Sequence, residues 1–263
     1  MIASFYLSFT QYEILSPPVW VGLDNYQRLA TSDLFIGKTL WNTLYYMIGI
    51  PIGMALSLLL ALALNQQLRF QTFFRTVLFL PSICSIVALA LLWRWIYNAD
   101  YGLINTYLQQ FGITDPPRWL DTPMWVKPSL IMMGIWGNLG YNMVLYLAAL
   151  QAVPKHLLEA AQIDGANPWH RFWNVTFPVI SPTTFFIAII SIIGGLQSFD
   201  AIYIMTRGGP EYASATYMLY LYQNGFQYFK MGYASAMAWV LAVIIMFITW
   251  IQFRVAKSWV HYT

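Results

Sequence analysis

Five stretches of the chain run without a charged side chain for the length that a membrane-crossing helix needs: residues 39–68, 76–93, 128–153, 172–199 and 231–253. A helix crossing a hydrocarbon core about 30 Å thick takes about 20 apolar residues, because lipid offers no partner to an unpaired backbone group. Runs of this kind leave little choice of fold. With 59% hydrophobic residues, 9% charged residues and a mean hydropathy of +0.56, the chain has no surplus of polar side chains with which to clothe a soluble surface. Residues 1–12 are also uncharged, but they would cover only roughly 18 Å as a helix. They lack a basic leading region and a small-residue cleavage site, so they do not read as a signal peptide. They are expected to be the outer part of a first helix whose inner turns precede Met1. The expectation is an all-α integral membrane protein with about six transmembrane helices, forming one transmembrane domain over residues 1–263.

Six crossings place both termini on one side. With that side cytoplasmic, Arg69, Arg75, Lys155, Arg171, Arg254 and Lys257 lie inside, and Arg28, Lys38, Arg94, Arg118, Lys127, Arg207 and Lys230 lie outside. The inner segments are shorter in total, so the density of basic residues favours cytoplasmic termini. Three outer loops follow, at 16–38, 97–127 and 207–230, and Pro116, Pro117 and Pro123 prevent a continuous helix through the middle one. A net charge of +3 spread over such loops gives no sign of nucleic acid as a partner; membrane lipid is the partner that composition implies. The single Cys84 excludes an intramolecular disulfide and a cysteine metal cluster.

The polar exception is the segment PKHLLEAAQIDGANPWHRF, which gathers Lys155, His156, Glu159, Asp164, His170 and Arg171. Catalysis by paired carboxylates is disfavoured, since five residues of helix rotate Glu159 and Asp164 apart by roughly 140°. His156 and Glu159 share a face but lack a third metal ligand. Gly37-Lys38-Thr39 resembles the end of a phosphate-binding loop, yet Ser32 stands where that loop needs glycine. ATP, if used, is therefore bound by another chain. Punctuation in the segment reads instead as structure. Pro154 suits a first helical turn, Gly165 a left-handed stop, and Asn167-Pro168 the cap and start of a second helix. The result is a bent helix–glycine–helix unit on the cytoplasmic face. It could lie on the lipid surface, but Ala160 and Ala161 bury little area there, whereas they permit close backbone approach in a protein cleft.

Glu159-Ala160-Ala161, Asp164-Gly165-Ala166, Phe172 and Pro178 together resemble the EAA loop of the permease subunits of binding-protein-dependent ABC importers. The likeness extends to the carbohydrate-uptake branch (maltose and glycerol-3-phosphate permeases) through GLDNY at 22–26, Asn42-Thr43, FFRTVLFLP at 73–81, GLIN at 102–105, FDAIYIMTRGGP at 199–210 and GYASA at 232–236. In 175–178 this chain has Phe177 where the family usually has leucine. The resemblance implies the type I importer permease fold in the cytoplasmic (inner) membrane of a prokaryote. It also implies a second permease subunit, two ATP-binding cassette ATPase subunits and an extracellular or periplasmic solute-binding protein. ATP and Mg belong to the ATPases, and this chain is not an enzyme. The coupling loop is expected at about 154–178, with Leu158, Glu159, Ala160, Ala161, Asp164, Gly165 and Ala166 contacting an ATPase.

A path for a polar solute should appear as hydrogen-bonding groups within the spans. Two clusters qualify: Asn138, Gly140, Tyr141 and Asn142 in the run 128–153, and Ser191, Gly194, Gly195, Gln197, Ser198 and Asp200 at the end of the run 172–199. Interhelical hydrogen bonds and close helix packing are the alternative use of the same residues. Neutral amides, hydroxyls and aromatic rings suit a sugar, oligosaccharide or glycoside-like polyol. A self-contained secondary carrier or channel is the competing class, but such carriers place ionisable residues at mid-membrane and carry internal repeats. Neither is evident here.

Overall fold

The computed structural model describes residues 1–66 and 69–261. Gln67 and Leu68, at the end of the first apolar run and in the link after it, lie outside the described residues, as do Tyr262 and Thr263.

The chain opens with helix α1 (Ile2–Ser8), followed by a short antiparallel ribbon of β1 (Thr10–Gln11) and β2 (Val19–Trp20), with Thr10 opposite Trp20. Among the described residues, this ribbon and an isolated antiparallel bridge between Glu13 and Lys230 are the departures from all-α architecture. Helix α2 (Asp24–Thr31) leads to α3 (Leu34–Tyr46), which starts where the Asp33 carboxylate accepts the Phe35 N–H at 3.0 Å. After a turn at Met47, α4 (Gly49–Leu64) continues, and Pro51 is tolerated in its first turn.

Helices α5 (Gln71–Ile83) and α6 (Ile86–Ile96) divide the second apolar run, which reads in sequence as one spanning helix. They are bent by 99° at Cys84, which takes extended dihedrals of φ −74° and ψ 149°. Pro81 supplies the weakness, because it offers no N–H to the preceding turn and its ring crowds that turn's carbonyl. Helix α7 (Leu103–Gln110) lies within the segment 97–127, as its prolines allow. The buried Asn105 organises that loop by donating to the Ala99 and Pro117 carbonyls at 3.0 and 3.1 Å and accepting from Trp119 Nε1 at 2.7 Å.

The remaining helices are α8 (Pro123–Gln151), α9 (Lys155–Ile163), α10 (Pro168–Arg171), α11 (Phe177–Leu196), α12 (Asp200–Met205), α13 (Tyr217–Tyr222) and α14 (Met231–Ala256). Short π-helical turns at Phe172–Thr176 and Gln223–Gln227 join α10 to α11 and extend α13. Among the described residues, four helical stretches are long and apolar enough to cross a membrane: Leu34–Leu64, Pro123–Gln151, Pro168–Leu196 and Met231–Ala256. The bent pair α5 and α6 makes a fifth if it counts as one span. The expected sixth, at 1–12, contains a helix of only 7 residues. Between 22% and 39% of each span's most apolar window is buried inside the chain, so most of its surface requires lipid or another protein as its surroundings.

The residues pack as two compact units. The first comprises 1–47, 86–131 and 193–248, with a core of Leu29, Ile36, Tyr217, Tyr220, Tyr233, Met237 and Leu241. The second comprises 48–85, 132–192 and 249–263, and its core joins Ala61 and Leu64 to Met143, Tyr146, Leu147, Leu150, Ile180 and Ile187. In this second unit hydroxyls knit helices together. Ser57 Oγ donates to the Leu139 carbonyl at 3.1 Å. Ser82 Oγ donates to the Gly137 carbonyl and accepts from the Tyr141 N–H, both at 3.0 Å. Gly137 and Tyr141 are one helical hydrogen-bond step apart, so a serine from α5 enters the backbone ladder of α8.

Candidate functional site

The segment 154–178 folds as its punctuation predicts. Helix α9 ends in a Schellman arrangement: the Ala166 N–H reaches the Ala161 carbonyl at 2.9 Å and the Gly165 N–H reaches that of Gln162 at 3.1 Å. Gly165 sits at φ +76°, where a side chain would be strained. Asn167 Oδ1 then accepts the His170 N–H at 2.9 Å and starts α10, with Pro168 at its first position. The guanidinium of Arg171 donates to Gln162 Oε1 at 3.4 Å, tying the two arms across the bend.

Exposure divides the expected coupling residues. Leu158 turns inward and packs on the core of the second unit, where it anchors α9. Glu159, Ala160, Asp164 and Gly165 are exposed, and Ala161 and Ala166 are half-buried. No residue of α9 is buried, and the apolar side chains Leu157, Ile163 and Trp169 stand out from the unit, Ile163 at 86% exposure. Ile163 escaped the sequence reading; its signal was an isoleucine at the last helical position with no large apolar neighbour one turn before it. The single ion pair among the described residues is Arg118–Asp121 at 3.5 Å, so neither carboxylate of this segment is neutralised by one. No cluster of three possible metal ligands occurs among the described residues.

Of the two polar clusters, the first lies on α8. Asn138 and Tyr141 are exposed, and Asn138 donates to the Gly134 carbonyl of its own helix at 2.9 Å. Asn142 is buried, as is Gly140, whose Cα faces the backbone of Leu78 and Phe79. Close helix approach accounts for that glycine. Ser191, in α11, is half-buried. Residues Gly194 to Asp200 span the end of α11 and the break before α12. Gly194, Gln197 and Asp200 are exposed, and Gly195 and Ser198 are half-buried. The Ser198 carbonyl accepts from Thr216 Oγ1 at 2.8 Å. Phe199 stacks with Tyr203 at 5.3 Å and meets Tyr222 at 4.7 Å between ring centres, so this stretch combines polar groups with aromatic faces.

The segment 206–216 carries more structure than its glycines and prolines announce. Ser214, Ala215 and Thr216 are fully buried in the first unit. Asn42 Nδ2 donates to the Tyr212 and Ala215 carbonyls at 3.0 and 2.9 Å, Tyr46 OH to the Ser214 carbonyl at 3.0 Å, and Thr43 Oγ1 accepts the Tyr217 N–H at 3.0 Å. Buried backbone away from regular structure must find partners, and here α3 supplies them. Lys127 Nζ completes the group, 3.3 Å from Asn42 Oδ1 and 4.7 Å from the centre of the Tyr45 ring.

Comparison with known proteins accords with this geometry. Residues 49–261 match the family described as "Binding-protein-dependent transport system inner membrane component". The probable ABC transporter permease protein YesP of Bacillus subtilis is 40% identical over 100% of this chain and 85% of its own length. The lactose transport system permease protein LacF of Rhizobium radiobacter is 36% identical over 90% of this chain and 81% of its own length. In the crystal structure of a bacterial alginate ABC transporter in complex with an alginate pentasaccharide-bound periplasmic protein, one chain is 27% identical and matches with a TM-score of 0.82, over 90% of this chain and 83% of its own. This chain belongs to the binding-protein-dependent transport system inner membrane components: it is a multi-pass permease of the bacterial inner membrane, a transport subunit and not an enzyme.

Proposed function

We propose that this permease forms half of the translocation path of an ATP-driven importer for a sugar, oligosaccharide or glycoside-like polyol. A second permease completes the path, a solute-binding protein delivers the solute from outside, and two ATPase subunits beneath bind ATP and Mg²⁺. Both termini are cytoplasmic in this arrangement. The observation that carries the reading is the α9–Gly165–α10 unit. It is capped at both ends of its bend, anchored through Leu158, and presents Glu159, Ala160 and Ile163 to a partner. Seated in an ATPase cleft, such a unit would convert closure of the ATPases into movement of α8 and α11, the helices on either side of it.

The saccharide class is supported by the neutral amide and hydroxyl of Gln197 and Ser198, next in the chain to Phe199, which meets the rings of Tyr203 and Tyr222, and by the lactose and alginate systems among the relatives. Asn138, Tyr141, Asn142, Ser191, Gly194, Gly195, Gln197, Ser198 and Asp200 remain the candidate path residues, whereas Gly140 is taken up by the contact of α8 with α5. The test is a reconstituted complex carrying Glu159→Lys or Gly165→Pro, which is expected to insert normally and to move less solute per ATP hydrolysed. A normal ratio in both variants would remove the coupling assignment. Uptake of an amino acid in place of labelled sugars would remove the solute class.

A further inference from the structure

Two prolines interrupt the foot of α11. Pro178 and Pro182 each lack an N–H for the helical ladder, and in α11 the carbonyl of Pro178 has no N–H at residue 182 to accept. Just before them the chain adopts a π turn, with the Phe177 N–H reaching back to the Phe172 carbonyl. A π turn followed by two such prolines makes this foot the weakest part of the connection between α10 and α11.

The C-terminal segment lies across that weak point. After α14 ends, the Trp259 and Val260 N–H groups close a turn on the Ala256 carbonyl at 3.1 and 2.9 Å. This turn lays the Trp259 ring parallel to Phe177, 6.4 Å between centres, and edge-on to Phe185 at 6.2 Å. Two residues on, the His261 N–H donates at 3.0 Å to Ser181 Oγ, a fully buried hydroxyl. The same hydroxyl donates at 2.7 Å to the carbonyl of Pro178, the one that Pro182 leaves unpaired. One serine thus repairs the proline gap and receives the C-terminal segment.

We infer that Trp259 and the backbone of His261 form a brace across the hinge at the foot of α11, with Trp259 as a positioning residue for transport. The inference rests on the proposed role of the α9–α10 unit. A push delivered through that unit enters α11 by way of the π turn. An unbraced foot would absorb it by bending at Pro178. The brace makes the foot of α11 and the cytoplasmic end of α14 one body, so the displacement reaches both helices.

The test uses the full complex in proteoliposomes and measures solute moved per ATP hydrolysed, ATPase rate and the amount of assembled complex. Trp259→Ala is expected to leave ATP hydrolysis within about twofold of wild type and to lower the transport ratio about fivefold or more, the effect of removing two aromatic contacts from a coupling path. Trp259→Phe, which keeps a ring against Phe177, should recover most of the ratio. If Trp259→Ala reduces the assembled complex, Trp259→Leu keeps the site apolar and gives the same reading. A wild-type ratio in both Trp259→Ala and Trp259→Leu overturns the brace. If Glu159→Lys uncouples in the same assay while these variants do not, the brace alone fails. If none of the three uncouples, the coupling-loop reading fails, and the brace with it.

Discussion

A methyl group on Gly140 would stand 2.1 Å from the Leu78 carbonyl oxygen and 2.7 Å from the Cα of Phe79. Both are rigid backbone, so α5 and α8 would have to separate. The Ser82 hydroxyl, which bonds the Gly137 carbonyl and the Tyr141 N–H, would be drawn out of α8 with them. Gly140→Ala is therefore expected to cost about 1–3 kcal/mol by overpacking, seen as an earlier thermal transition of the detergent-solubilised complex. Gly134→Ala is the control, because beyond its own stretch of helix backbone no atom lies within 4 Å of the added carbon, and it should leave the transition unchanged or slightly later.

Asp33 holds a different joint. Its Oδ2 accepts hydrogen bonds from Tyr220 at 2.8 Å and Tyr233 at 2.6 Å, while Arg28 lies over the Tyr233 ring at 4.8 Å. One carboxylate at the start of α3 thereby fixes both α13 and the N-terminal end of α14. Asp33→Ala leaves two buried hydroxyls without this acceptor and should destabilise the first unit by about 3 kcal/mol. Hydrogen exchange of 217–233 is the measurement, with faster exchange there than in the core around Met143 as the expected result.

Stability should fall in strong alkali and should do so through the tyrosines near Asp33. Burial, followed by the neighbouring Tyr228 and Asp33, pushes the Tyr212 hydroxyl up to about 12, and burial with the Asp33 hydrogen bond moves Tyr220 in the same direction. The folded state keeps these protons where an unfolded chain releases them near pH 10. Their contribution is therefore complete below about pH 10 and is lost as pH rises towards about 12, because the unfolded state then binds fewer protons. A pH series of thermal transitions should be flat on this account up to about pH 10 and decline beyond it. In Tyr212→Phe the decline should be shallower.

Asn42 spends both of its amide hydrogens on the carbonyls of Tyr212 and Ala215, and its oxygen faces Lys127. Asn42→Leu keeps the volume and removes every one of these bonds. The expected cost is about 2–4 kcal/mol for two stranded carbonyls, with limited proteolysis within 206–216 as the readout. Cleavage there at the wild-type rate would mean that Tyr46 and Thr43 hold the segment unaided.

The membrane class of the protein, the approximate limits of four of its spans and the bend at Gly165 follow from local chemistry. Lipid demands long uncharged runs, and glycine, asparagine and proline act on their own turns, so neither signal needs distant residues. The family likeness was legible for the same reason, since Glu159-Ala160-Ala161 and Asp164-Gly165-Ala166 are contiguous. Only the tertiary structure decided that the run 76–93 breaks at Cys84, that Leu158 is an anchor and Ile163 is exposed, and that Gly140 serves close packing. The partners of Asn42, Asp33 and Ser181 were equally hidden. Each is a short polar side chain whose hydrogen bonds join segments far apart in sequence. No periodicity or composition records such pairings, because they arise only when the helices have already packed.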